Sequence, residues 1–266
     1  MELGLRDKVV LVTGSSKGIG RSIAEAFLRE GCRVAINARH GAELDAAAAA
    51  MGRSGGKVHA IVADVMDLKG ARQTVEETVR QFGAIHVLVN NAGGAGRFAS
   101  FDDLTDDEWL EAFKLNVLSA VRAARAAIPH MQKQKWGRII NISSESGVQP
   151  DAVMPHYNAP KSALNSFTKS LSKAYGKDNI LVNTVSPAFI RTPLLDGMLE
   201  QQARARGIGV DEVEKVFLRE FRPHIVLGRA GKPDETAGMV VFLASEQASF
   251  ITGSNFRVDG GSVASI

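Results

Sequence analysis

Ser144, Tyr157 and Lys161 are the residues of this 266-residue chain whose types and spacing suit proton transfer. Tyr157 and Lys161 stand four apart, so on a helix they share a face, one turn apart. An ammonium beside a phenol favours the phenolate, so the spacing predicts a tyrosine with a lowered pKa. A free tyrosine titrates at about pH 10, and an acid–base group works best near operating pH. The depression required is about two to three pH units, or roughly 3–4 kcal/mol. Ser144 precedes Tyr157 by thirteen residues. Carried on a strand end, its hydroxyl would bind the oxygen that Tyr157 protonates. The same pattern also fits a surface helix with a packed tyrosine and a solvated lysine, so the surrounding elements have to decide.

Residues 8–13 (KVVLVT) are apolar and β-branched and read as a buried strand. Gly14-Ser15-Ser16-Lys17-Gly18-Ile19-Gly20 follows, then an amphipathic helix over 21–30. A glycine loop between strand and helix lets a ligand approach the backbone, and the helix N-terminus favours phosphate. The spacing is Gly-x-x-x-Gly-x-Gly, not Gly-x-Gly-x-x-Gly. Further strands are expected at 33–37, 57–63, 85–89, 137–141, 180–185 and 255–258. Helices are expected at 41–51, 68–82, 105–132 with a break near Asn116, 156–175 and 234–245. Residues 187–222 read as irregular and helical. This alternation predicts an α/β fold, a doubly wound Rossmann-type parallel sheet of about seven strands with helices on both faces. No composition shift or repeat divides the chain, so residues 1–266 are expected to form a single dinucleotide-binding and catalytic domain, with a substrate lid at about 188–225. The strand ends bring Gly14, Ala38, Asp64, Asn90, Ser144 and Pro187 to one edge, where such sheets bind ligands.

Composition excludes several classes. Apolar residues make up 45% and charged residues 23%, ordinary for a globule with a sizeable core. The net charge of +3 is spread without a run of like charges, so no nucleic-acid partner is expected. No apolar stretch approaches the roughly 18 residues of a membrane span. The beginning of the chain, MELGLRDK, lacks a signal peptide's apolar region. A single cysteine, Cys32, suits a reducing compartment and reads as a small buried residue. The expected location is cytoplasmic, without membrane association, and no metal site is expected.

The chain strongly resembles the short-chain dehydrogenase/reductase superfamily over nearly its whole length. The likeness rests on residues 13–20 (TGSSKGIG), Asn90-Asn91-Ala92-Gly93, Asn116, Ser144 and Tyr157-Asn158-Ala159-Pro160-Lys161. The nearest look is to 3-oxoacyl-acyl-carrier-protein reductases. The resemblance implies that Tyr157 is the acid in carbonyl reduction and the base in alcohol oxidation. Lys161 would hold the nicotinamide ribose hydroxyls and lower the tyrosine pKa, Ser144 would bind the substrate oxygen, and Asn116 would support a water that relays protons to Lys161. Cofactor contacts are implied for Gly14, Ser16, Lys17, Gly18, Ile19, Gly20, Arg39, Asp64, Val65, Asn91, Ala92, Gly93, Tyr157, Lys161, Pro187, Ile190 and Thr192. Dimers or tetramers are implied, through helices around 116–131 and 156–175 and the C-terminal strand, with the tail 250–266 against a neighbour.

Cofactor choice is partly legible. A carboxylate at the end of strand two would bind a ribose 2′-OH and favour NAD. Ala38 and Arg39 stand there, and Lys17 lies in the glycine loop. Two cations and no carboxylate suit a 2′-phosphate, so NADP(H) is expected, with NAD(H) as the alternative. The expected function is hydride transfer between nicotinamide and a small-molecule carbonyl or secondary alcohol. The alternatives are an NAD-dependent alcohol dehydrogenase, a non-catalytic NADP-binding regulator, and an epimerase or dehydratase. Pro160 lies between Tyr157 and Lys161, so the helix either starts near Tyr157 or starts at Pro155 and runs through a proline. Ala188 stands where the family usually has glycine. Phe98, Val148, Met154, Phe189, Leu194, Leu195 and Met198 are candidates for an apolar substrate pocket. Glu145 and His156 flank the catalytic groups, with His156 expected to be exposed. Trp109 and Trp136 read as packing residues.

Overall fold

Val9–Val12 is buried on both faces, and its side chains alternate between two separate apolar cores. Val10 and Val12 enter one core and Leu11 the other, the period-2 alternation of a strand. Val34 and Ile36 against Ala35, Val87 and Val89 against Leu88, and Ile140 and Ile142 against Ile139 repeat it. Strands apolar on both faces need cover on both, and the helices supply it.

The computed structural model describes residues 2–265 and, within them, every side chain except that of Leu194. The strands are β1 (Val9–Val12), β2 (Arg33–Ala38), β3 (Lys57–Val62), β4 (Val87–Asn90), β5 (Gly137–Ile142), β6 (Ile180–Pro187) and β7 (Asn255–Val258). They form one parallel sheet in the order β3-β2-β1-β4-β5-β6-β7. The helices are α1 (Gly18–Arg29), α2 (Gly41–Arg53), α3 (Leu68–Phe82), α4 (Asp106–Phe113), α5 (Ser119–Gln134), α6 (Pro155–Tyr175), α7 (Pro193–Arg206), α8 (Val210–Phe221) and α9 (Pro233–Ala244). Residues of α1, α2 and α9 fill one core; those of α3, α5 and α6 pack the other. No helix among the described residues is long and apolar enough to cross a membrane.

Two local departures bear on the site. The helix expected over 105–132 is two helices joined by a π-helical turn, Lys114–Leu118. Asn116 causes it: its Nδ2 donates to Ala112 O and Gly94 O, both at 3.0 Å, and its Oδ1 accepts from Gly94 N at 3.1 Å. The second concerns Pro160. α6 opens at Pro155 and runs through Pro160 to Tyr175, so the later start near Tyr157 is excluded. Met154, left-handed at φ 59°, accepts the first amides, from Tyr157 N (2.9 Å) and Asn158 N (3.0 Å).

The stretch after β6, read as irregular and helical, folds into α7 and α8, as its helical character predicted. Leu195, Leu199, Ala203 and Val213 pack with Ala230 into a third, smaller apolar cluster. Arg191 anchors its base, with Nε 2.7 Å from Asp196 Oδ1 and Nη1 2.7 Å from Glu214 Oε2.

Candidate active site

The carboxyl ends of β1, β2, β4, β5 and β6 open onto a cavity of about 540 Å³. One end is built by the glycine loop. Gly20 has no space for a side chain, since a Cβ there would collide with the Asn91 amide and lie 2.5 Å from Gly14 O. Asn91 locks the loop to β4 by donating from Nδ2 to Thr13 O and Gly14 O, each at 2.9 Å. The Thr13 hydroxyl accepts from Asn91 N and Ala92 N at 3.1 Å. The loop is thus held rigidly while the first-turn amides of α1 face the cavity, the arrangement that binds phosphate.

The other end carries the proton-transfer groups. Lys161 is buried on α6 and donates from Nζ to Ile142 O at 2.9 Å. Its Nζ lies 5.5 Å from the centre of the Tyr157 ring. Ser144 follows β5 and is buried, its hydroxyl accepting from Ser146 N at 3.2 Å. A Cβ on Gly93 would lie 2.9 Å from Asn116 Oδ1 and 3.2 Å from Lys161 Nζ, so all three meet at one point behind the cavity wall. A buried polar chain supports them from below: Asn90 Nδ2 donates to Asn141 Oδ1, Asn141 Nδ2 to the Thr168 hydroxyl, and the Thr184 hydroxyl to Thr168, each at 2.8 Å.

The electrostatics differ from the sequence expectation. Burial pushes the Tyr157 phenol up, the Ser144 hydroxyl pulls it down, and the charge of Glu145 adds to the rise. Lys161 does not reverse this, because burial penalises its own cation and draws it down to about 8. The lowered phenol expected from the four-residue spacing is therefore absent in the protein alone: both groups are desolvated together.

Most expected cofactor contacts line the cavity: Gly14, Ser16, Lys17, Ile19, Gly20, Arg39, Asp64, Val65, Asn91, Ala92, Gly93, Tyr157, Lys161, Pro187 and Thr192. Gly18 and Ile190 do not. Gly18 holds a left-handed turn, and Ile190 is buried, bridged to Gly231 beside a separate cavity of about 200 Å³. Glu43, absent from the sequence reading, also lines the site and pairs with Lys17 at 3.1 Å. The premise of two cations and no carboxylate is corrected accordingly. No local signal announces that pair, whose members lie 26 residues apart.

Among the flanking residues, His156 is buried rather than exposed. Its ring packs edge-on to Trp109, with centroids 6.4 Å apart, and its Nε2 lies close to Gly96. Glu145 is buried beside Ser144, and burial raises its pKa despite the Ser262 hydroxyl and the Arg222 guanidinium. The apolar pocket candidates scatter. Phe98 and Val148 are exposed, Met154 is buried at the start of α6, Leu195 and Met198 belong to the third cluster, and Phe189 stacks on Phe217 at 4.8 Å. The Leu194 side chain lies outside the described residues. Trp136 packs between Lys8 and Arg138, which stand 4.1 and 4.2 Å from its ring centre.

Comparison with known proteins places this geometry. A family model described as enoyl-(acyl carrier protein) reductase matches residues 14–263. The oxidoreductase YvrD of Bacillus subtilis (strain 168) is 38% identical over the full length of both chains. The 3-oxoacyl-[acyl-carrier-protein] reductase FabG of Aquifex aeolicus is 36% identical over 98% of this chain and 99% of its own. The crystal structure of L-sorbose reductase from Gluconobacter frateurii complexed with NADPH and L-sorbose superposes with a TM-score of 0.94 at 35% identity, covering all of both chains. Likeness of this extent makes the chain an oxidoreductase of the short-chain dehydrogenase/reductase superfamily.

Proposed function

We propose that the protein is an NADP(H)-dependent oxidoreductase that moves a hydride between nicotinamide and a small-molecule carbonyl or secondary alcohol. One observation carries this reading: Tyr157, Lys161 and Ser144 stand at one end of a cavity whose other end is a glycine loop flanked by Arg39. The residues present fit the cofactor. Gly20 and Gly93 keep the walls free of side chains, and the α1 amides suit a pyrophosphate. Lys17 and Arg39 would meet a 2′-phosphate, Asp64 and Val65 an adenine, residues 91–93 the adjoining ribose, Tyr157 and Lys161 the second ribose, and Pro187 and Thr192 the carboxamide side. The NADPH bound in the solved L-sorbose reductase structures supports the same choice.

When bound, the cofactor supplies or accepts the hydride. The chain's own part is the proton. In reduction, the Tyr157 hydroxyl gives its proton to the oxygen that becomes the alcohol; in oxidation, the phenolate takes it back. Ser144 binds that oxygen and fixes its place between the two outcomes. A phenol raised by burial is protonated at neutral pH, which suits the donor role. Asn116 stands behind Gly93, against Lys161, in position to support a water that refills the proton. The segment 188–225, built on α7 and α8, acts as the substrate lid within a single catalytic domain. The assembly is a homotetramer or homodimer, and the protein works in the cytoplasm.

The test is a panel of ketones, ketoses and acyl thioesters, read by loss of NADPH absorbance. Tyr157→Phe is expected to lower kcat by about 10²- to 10⁴-fold while the thermal midpoint holds. Near-native turnover by that variant would remove Tyr157 from the chemistry.

A further inference from the structure

Glu145, Asp151 and Arg222 form a charged cluster that proton transfer leaves unused. Arg222 directly follows α8, and its side chain is only 18% exposed. Its Nη1 lies 2.9 Å from Asp151 Oδ2 and its Nε 3.7 Å from Glu145 Oε1. The second Glu145 oxygen, Oε2, is buried without a hydrogen-bond partner among the described residues.

The two carboxylates bracket the loop that runs from Ser144 to α6. At the near end, Glu145 adjoins Ser144, and its carbonyl accepts from Val148 N and Gln149 N, both at 2.8 Å. At the far end, Asp151 O accepts from Asn158 Nδ2 at 2.9 Å, next to Tyr157. One guanidinium therefore spans from the end of α8 to both ends of the loop that separates Ser144 from Tyr157. Its planar fork can serve two acceptors at once, which a lysine ammonium does less well. Without it, the charge of Asp151 would act on Glu145 unopposed, and buried Glu145 would keep only the Ser262 hydroxyl, a costly outcome for buried charge.

The base of α7 and α8 is anchored by Arg191, and their interior by the third apolar cluster. At the far end of α8, Phe221 is half-exposed and packs only one side of its ring, on Phe217 at 5.1 Å, so Arg222 is the charged tie there. We infer that Arg222 is a positioning residue, clasping the α7–α8 segment onto the loop between Ser144 and Tyr157 and so holding the substrate side of the site in shape. This rests on the reading of Ser144 and Tyr157 as the reacting pair. The cation itself touches neither, so the clasp acts on substrate retention more than on the chemical step.

The experiment combines steady-state kinetics with amide hydrogen exchange on the free protein, for Arg222→Ala, Asp151→Asn, the double variant and Arg222→Lys. Arg222→Ala is expected to raise KM for the carbonyl substrate about tenfold, with kcat within about threefold, as loss of a partly buried charged hydrogen bond implies. NADPH binding, followed by fluorescence without substrate, stays unchanged. Exchange quickens across residues 193–221 and 145–153. The double variant is no worse than Arg222→Ala, and Arg222→Lys recovers part of the KM. Unchanged exchange in both segments, or additive losses in the double variant, would overturn the clasp. Should Arg222→Ala not fold, Asp151→Asn and Arg222→Lys carry the same comparison. Faster exchange in a protein that turns over none of the carbonyls would uphold the clasp and sink the proposed function instead.

Discussion

Arg39 and Lys17 both flank the place where a 2′-phosphate would sit, but they are not equivalent. Lys17 is engaged by Glu43 at 3.1 Å, whereas Arg39 is exposed and has no ion-pair partner among the described residues. A guanidinium free to bind bidentately should therefore carry most of the discrimination. Arg39→Ala is expected to raise KM for NADPH by about tenfold and leave KM for NADH nearly unchanged, read from initial rates with each cofactor. Glu43 also explains what the residues alone could not say. The chain displays Lys17, Arg39 and the empty strand-two position openly, but a carboxylate delivered by the next helix is visible only once α2 is in place. Tyr157 and Lys161 show the same limit. Their spacing announces an ion–phenol neighbourhood correctly, while the direction of the phenol's pKa depends on burial that no local pattern encodes.

At the scale of elements, the end of the sheet opposite the site contains a titrating device. His86 leads into β4, and its Nδ1 accepts from Val9 N at 3.0 Å, which requires a neutral ring. Burial, with Lys8 and Arg33 nearby, lowers His86 from 6.5 to about 4. Between those values the unfolded chain binds the proton and the folded one does not, so stability rises with pH across that window. Moving from pH 7 to pH 5 should lower stability, by about 1 kcal/mol once solvent screening of this half-buried ring is allowed for, and His86→Gln should flatten that slope in urea titrations. Elements with a strong internal pattern were legible to the residue: α3 spans 68–82 as expected, because its apolar spacing ends at Gly83, left-handed at φ 81°. The π-helical turn was legible only as a break near Asn116. Asn116 is held there by the Gly94 backbone, 22 residues away, which no local pattern shows. After β6 the helical character was legible but the bounds of the two helices were not, because they pack chiefly on each other, not on the sheet.

For the whole molecule, the sheet separates two cores that share no side chains, and the continuous apolar runs of its strands, legible in the sequence, announce that both faces are covered. What these runs leave unspoken is the outer surface. Phe250 stands fully exposed beside β7, a large apolar ring in water. In an assembly that buries the C-terminal strand it would pack against a neighbour, so Phe250→Asp is expected to shift the light-scattering mass toward that of one chain. A mass unchanged by the substitution would place the interface elsewhere. The π-helical turn has a further consequence for how this molecule can vary in length. Each residue of a helix turns the chain by about 100°, so adding or losing one residue in Lys114–Leu118 would rotate all of α5. Either Asn116 would leave Gly94, or Ala123, Ala127 and Met131 would leave their core. By contrast, a side chain on Gly55 would meet nothing within 4 Å, so the turn at 54–55 has room for a residue, although one on Gly56 would lie 2.9 Å from Leu28 Cδ1. An insertion is therefore expected to be accommodated at 54–55, and one within Lys114–Leu118 to cost either the Asn116 bonds or the packing of α5.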